Sequence, residues 1–211
     1  MSETPRINQP LWYGLRWVLA PPTALALGLR REGTEHIPAE GPTLVVSNHI
    51  SHFDPPLLGL ALRSRQTYYF AKAELFRVAP VGRFFRATGA FPVRRGEADR
   101  GAFRAARDVL ARGECLLWFP EGTRHRDGLL RDAFPGAGSL ALGEGVQVIP
   151  AAIWGSQRGV FRARVAFGPR IAMTDLEGES RSERAAAAAE RMMDHIEPLL
   201  VGLGGAPRDR T

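Results

Sequence analysis

This chain of 211 residues has one cysteine, one lysine, and no unbroken apolar run long enough to cross a bilayer. The lone Cys115 excludes an intramolecular disulfide and any cysteine-based metal centre. It lies in Cys115-Leu116-Leu117-Trp118-Phe119, which reads as a buried strand, so an inert core thiol is expected. The longest apolar stretch, 11–29, is split by Arg16 and by Pro21-Pro22, and weakened by Gly14 and Gly28. Those breaks argue against a simple span and against a cleaved signal segment. The expectation is a broken amphipathic hairpin in the membrane interface, with Trp12, Tyr13 and Trp17 at headgroup level. Two helices packed on the domain itself are the alternative. Because Lys72 is the only lysine, the positive charge is almost entirely arginine: 28 basic residues face 22 acidic ones, a net +6. That excess favours anionic partners, but a general preference for Arg over Lys would produce it too. No recognisable nucleic-acid-binding motif accompanies it, so nucleic acid is not an expected partner.

The chain does have an ordinary globular composition, 45% hydrophobic and 24% charged, at a length that suits one α/β domain. Strand-like segments at 43–47, 67–71, 90–93, 115–119, 146–153 and 164–168 alternate with helix-like ones at 55–62, 80–88, about 98–112, 136–142 and 183–200. The alternation predicts an α/β fold, a mixed and centrally parallel sheet flanked by helices, with the N-terminal interfacial helical hairpin attached. The expected divisions are a membrane-interface segment 1–31, an α/β domain 32–201 and a disordered tail 202–211. Ligands of open α/β sheets bind at the carboxyl ends of the strands. Here His49 to Asp54 follow the first predicted strand, Lys72 the second, Arg94 the third, and Pro120 to Arg124 the fourth. Four polar clusters therefore converge on one rim.

His49 and Asp54 are an imidazole and a carboxylate five positions apart. A histidine takes up a proton near neutral pH, and a carboxylate can fix its tautomer and stabilise the imidazolium. Asp54-Pro55 also reads as a helix start, with Asp at N-cap and Pro at N1. Ser51 lacks a nucleophile-elbow setting, and His52 adds no zinc-type spacing, so neither a serine nucleophile nor a metal is expected. The run Phe119-Pro120-Glu121-Gly122-Thr123-Arg124 reads as a sharp turn with exposed N–H groups and a guanidinium suited to phosphate. Gly89 to Arg95 leaves two more arginines at a strand end.

Together these blocks resemble the PlsC-like lysophosphatidate acyltransferases, the 1-acylglycerol-3-phosphate O-acyltransferase family, over roughly residues 30–170. Asn48-His49 with Asp54 is similar to the family's N-H-x4-D motif, and Gly89 to Arg94 to its second block. Phe119 to Arg124 resembles F-P-E-G-T-R, and Val148-Ile149-Pro150 the fourth, proline-containing block. The chain departs from the pattern at His125, where Ser is frequent, and at Phe134, where Lys is frequent.

The resemblance implies acyl transfer from acyl-CoA or acyl-carrier protein to the free sn-2 hydroxyl of lysophosphatidate. His49 would be the general base and Asp54 its orienting carboxylate. Arg94 and Arg124, with Lys72 in support, would bind the phosphate, while Glu121, Gly122 and Thr123 shape the acceptor pocket. No metal or bound cofactor is implied, since the acyl carrier is a co-substrate. The lysophospholipid and the basic excess place the enzyme at a membrane surface, peripheral or monotopic on the cytoplasmic face. Another lysophospholipid, lyso-glycolipid or aminolipid acceptor, and a non-catalytic lipid-binding protein, are the competing readings.

Overall fold

The structure is a computed structural model that describes residues 28–62, 65–87, 89–93 and 100–208. Its centre is a seven-stranded sheet in the order β1-β7-β6-β2-β5-β3-β4. The strands are β1 (Arg30–Glu32), β2 (Thr43–Ser47), β3 (Thr67–Lys72), β4 (Ala90–Val93), β5 (Cys115–Trp118), β6 (Gln147–Trp154) and β7 (Arg164–Phe167). The helices are α1 (Asp54–Ala61), α2 (Ala79–Ala87), α3 (Arg100–Ala111), α4 (Pro135–Ala141) and α5 (Arg181–Gly202). Every neighbouring pair is parallel except β6 and β7, which run antiparallel. The expected mixed, centrally parallel sheet is the one observed.

Strand alternation explains why the central runs are apolar throughout rather than at every second residue. Leu44 and Val46 of β2 enter one core with Leu116, Val109 and Leu110 of α3, Leu140 of α4, and Met192 and Ile196 of α5. Val45, between them, points the other way and packs with Leu57 and Leu58 of α1, Leu117, Ile149 and Ile153. Both faces of the central strands are therefore covered, as parallel sheets require. Each fully buried leucine contributes about 2 kcal/mol by leaving water. Cys115 is buried in the second core, and burial pushes its thiol up to about 11, consistent with an inert group.

Two boundaries differ from the sequence reading. The first described strand is β1 at Arg30, inside the segment expected to be helical, and its three largely exposed residues have no apolar pattern to reveal it. Residues 203–208, read as the start of a disordered tail, turn back along α5. Leu203 is buried, the Arg208 N–H donates to Glu197 at 2.8 Å, and the Arg208 guanidinium meets Glu190 and Asp194. The pairing of a buried guanidinium with acidic side chains of α5 outweighs the flexibility of the glycines before it. The expected hairpin, drawn from 11–29 in a segment 1–31, falls on residues 1–27 except for its last four residues, which form a turn and the start of β1 rather than helix. Residues 1–27, Arg94 in 94–99 and 209–211 lie outside the described residues. Among the described residues no helix is long and apolar enough to cross a membrane.

Candidate active site

β2 ends at Ser47, and the chain leaves the sheet at the carboxyl rim. Within the next seven residues His49 Nδ1 comes to 2.8 Å from Asp54 Oδ2, with both side chains buried. A carboxylate only accepts, so Nδ1 carries the proton and the lone pair of the neutral ring sits on Nε2. The ring is held flat against Phe119, with centroids 4.1 Å apart and planes 19° from parallel.

Asp54 does not cap α1. Phe53 occupies the N-cap position without a side-chain capping bond, and Asp54 is the first helical residue, followed by Pro55. Its carboxylate turns backward instead, and Oδ2 accepts from the N–H groups of Ile50 and Ser51 at 2.7 Å each. Oδ1 accepts the hydroxyl of Ser156 at 2.6 Å. A fully buried charge is tolerable only with such complete hydrogen bonding. The helix start adds a favourable dipole, and Pro55 removes one backbone donor that would otherwise need a partner.

The strand order brings the F-P-E-G-T-R segment beside this pair, because β5 runs parallel to β2 with Val46 opposite Trp118. Glu121 is 2% exposed and turned inward. Its Oε1 accepts from the His49 N–H at 2.8 Å, and its Oε2 from the Arg131 N–H at 3.2 Å. Burial pushes its carboxyl up to about 8, against the two N–H bonds, which favour the anion. The adjoining chain is tied back as well, since the His125 N–H donates to the His49 carbonyl at 2.8 Å. The His125 ring lies 3.8 Å from Glu121 Oε2, and burial lowers its basicity.

Gly122 closes the turn by donating its N–H to the Phe119 carbonyl at 3.0 Å, with a φ of 67° that suits glycine. A Cβ there would stand 2.9 Å from the ring of Phe134, the residue found where the family often has Lys. Thr123 is exposed and Arg124 half-buried on the same loop. Lys72 ends β3 on this rim, exposed and 3.7 Å from Glu74. The structure thus brings His49, Asp54 and 121–124 together, with Lys72 further along the rim. Among the described residues no group of His, Cys, Asp and Glu is arranged to hold a metal ion.

Two participants were missed by sequence reasoning. The Asn48 amide forms a paired contact with Ile153 of β6, donating to its carbonyl at 3.0 Å and accepting its N–H at 2.8 Å. Ser156 reaches Asp54 from 102 positions away. Asn48 stood in the N-H-x4-D motif without a role assigned to it, and Ser156 has no local signature.

A buried imidazole paired with a carboxylate at the rim of such a sheet can take a proton at Nε2 and stabilise the resulting cation. The acyltransferase family profile matches residues 28–154, more than half of the chain, and the protein belongs to that family of enzymes. It is 27% identical over 177 residues to the 1-acyl-sn-glycerol-3-phosphate acyltransferase of Bacillus subtilis, across 82% of this chain and 88% of that one. It is 35% identical over 127 residues to the lyso-ornithine lipid O-acyltransferase of Pseudomonas aeruginosa, across 60% of this chain and 48% of that one. The crystal structure of the 1-acyl-sn-glycerophosphate (LPA) acyltransferase PlsC from Thermotoga maritima superposes with a TM-score of 0.73. That match covers 97% of this chain and 86% of that one at 22% identity, and it establishes the shared fold.

Proposed function

We propose that this acyltransferase moves a fatty acyl group from an acyl thioester, acyl-CoA or acyl-carrier protein, to the sn-2 hydroxyl of lysophosphatidate, giving phosphatidate for phospholipid synthesis. The observation that carries the chemistry is the buried 2.8 Å contact between His49 Nδ1 and Asp54 Oδ2. His49 Nε2 takes the hydroxyl proton as the oxygen attacks the thioester carbonyl. Asp54 keeps the tautomer and stabilises the imidazolium. Collapse of the tetrahedral intermediate breaks the C–S bond, and the departing thiolate takes the proton from His49. No acyl-enzyme forms. Backbone N–H groups of the 121–124 turn would stabilise the oxyanion. Arg124 and Arg94 bind the acceptor phosphate, Lys72 adds positive charge, and Gly122 and Thr123 line the acceptor pocket. Glu121 shapes that pocket from behind by holding the backbone of His49.

The acceptor is amphiphilic, so the rim faces the cytoplasmic leaflet with the protein held peripherally or monotopically. Phe53 and Phe134 support this, being 51% and 63% exposed in segments on that rim. A second reading takes an amino-acid-bearing lyso-lipid as acceptor, favoured by the 35% identity to the lyso-ornithine lipid enzyme. Purified protein offered lysophosphatidate, lyso-ornithine lipid and other lyso-lipids with each donor decides between them. Preference for lysophosphatidate with complete loss in His49→Ala is the expected result. Activity retained in His49→Ala would overturn the mechanism, whereas preference for another acceptor would overturn only the substrate.

A further inference from the structure

We propose that Ser156 is a positioning residue of the site, locking the Asp54 carboxylate so that Oδ2 stays on His49. The inference rests on the reading of His49 as the base. The two carboxylate oxygens are held differently. Oδ2 takes three N–H donors, all from residues 49–51 of the loop that carries it. Oδ1 takes the Ser156 hydroxyl, which comes from the far side of β2, after β6. The loop backbone is anchored through Asn48, Glu121 and His125, but a carboxylate held only by its own loop could still turn with that loop. The bond to Ser156 ties the carboxylate itself to the end of β6 and fixes rotation about the bond joining it to its side chain.

The placement of the hydroxyl is built in. Ser156 is 2% exposed and follows Gly155, whose φ of 87° turns the chain directly out of β6. A Cβ on Gly155 would come within 2.1 Å of the Arg162 carbonyl oxygen, so the turn passes hard against the segment that leads into β7. Three residues earlier Ile153 is paired to the Asn48 amide. The end of β6 therefore grips the catalytic loop twice, at the residue before His49 and at the carboxylate behind it. The two grips set the His49–Asp54 vector relative to the sheet, and with it the direction of Nε2.

Removing the hydroxyl leaves Oδ1 buried without its donor and concentrates negative charge on Oδ2. The imidazolium is then held more tightly and gives up its proton at higher pH. In Ser156→Ala, kcat is expected to fall about tenfold, the order of one lost bond to a charged group. The KM values for donor and acceptor should stay within about twofold, the acid limb of the pH–rate profile should move upward, and Ser156→Thr should restore both. Titration of the His49 ring by 15N NMR in the substrate-free protein reads the same shift without any assumption about the acceptor. A wild-type titration midpoint in Ser156→Ala overturns the proposal, whatever lipid the enzyme prefers. So does a lower kcat with an unmoved acid limb and no rescue by threonine, which would indicate a merely structural role.

Discussion

The substitution Asp54→Asn separates the charge of this site from its geometry. Three N–H donors face Oδ2, so the oxygen of the new amide takes that position and its NH2 group takes the place of Oδ1. There the Ser156 hydroxyl, 2.6 Å away in the wild type, can turn from donor to acceptor. Each hydrogen bond keeps a counterpart, His49 keeps its tautomer, and only the charge is lost. Two unit charges about 4 Å apart at an effective dielectric near 20 interact by about 4 kcal/mol. That is a factor of about 10^3 in rate, and the amide dipole retains part of it. The expectation is a kcat lower by about 10^2 to 10^3, with KM for both substrates unchanged within about twofold. With an acyl thioester as donor, release of its thiol can be followed with a thiol reagent, because Cys115 is fully buried and contributes no background. A loss below about fivefold in a folded variant, or one expressed wholly in KM, would refute the electrostatic role given to Asp54.

Glu121 supplies a test by pH. Burial raises its carboxyl from 4.5 to about 8, so the folded state binds this proton more tightly than the unfolded chain. Its stabilising contribution is complete below about 4.5 and lost as pH rises through about 8. The Tm of the wild type should fall across that window relative to Glu121→Gln, and parallel curves would dismiss the effect. Gly122→Ala forces alanine into a left-handed φ of 67°, worth about 1–2 kcal/mol, and should lower Tm by roughly 2–8 °C in a thermal melt. Ser180→Ala removes the cap whose hydroxyl accepts from Glu183 at 3.1 Å. It should cost about 1 kcal/mol and roughly 3 °C in Tm without changing kcat. Cys115 should resist thiol reagents in the native protein and react on denaturation; rapid native labelling would contradict its burial.

The parts of this molecule legible in the sequence are those governed by local rules. Leu44-Val45-Val46 is apolar throughout because β2 is covered on both faces, and a run of that kind bounded by turn residues reads as a strand. The rim followed from the alternation of strands and helices, so His49, Asp54 and the 121–124 turn could be expected together before their distances were known. What escaped depends on contacts distant in sequence or on side-chain direction. Arg30–Glu32 becomes a strand only because β7 offers it an edge. A glutamate between Pro120 and Gly122 has the look of a surface turn, yet the N–H groups of His49 and Arg131 draw it inside. Asp54 followed by proline suggested a cap, but the donors of Ile50 and Ser51 turn its carboxylate the other way. Ser156 stands in an ordinary Gly-Ser turn whose partner is about a hundred positions away.

The reversed β7 governs where the chain is threaded into the fold. It lies antiparallel to β6, placing Arg164 opposite Trp154 at the catalytic rim, and β1 runs alongside it with Arg30 opposite Arg164. Gly28 accordingly sits beside Phe161, at the same end as His49 and Asp54. Had β7 followed the other strands, the first described residues would emerge at the opposite end of the sheet. The antiparallel turn thus sets the end at which β1 enters the sheet, so the first described residues stand on the rim that carries His49 and Asp54.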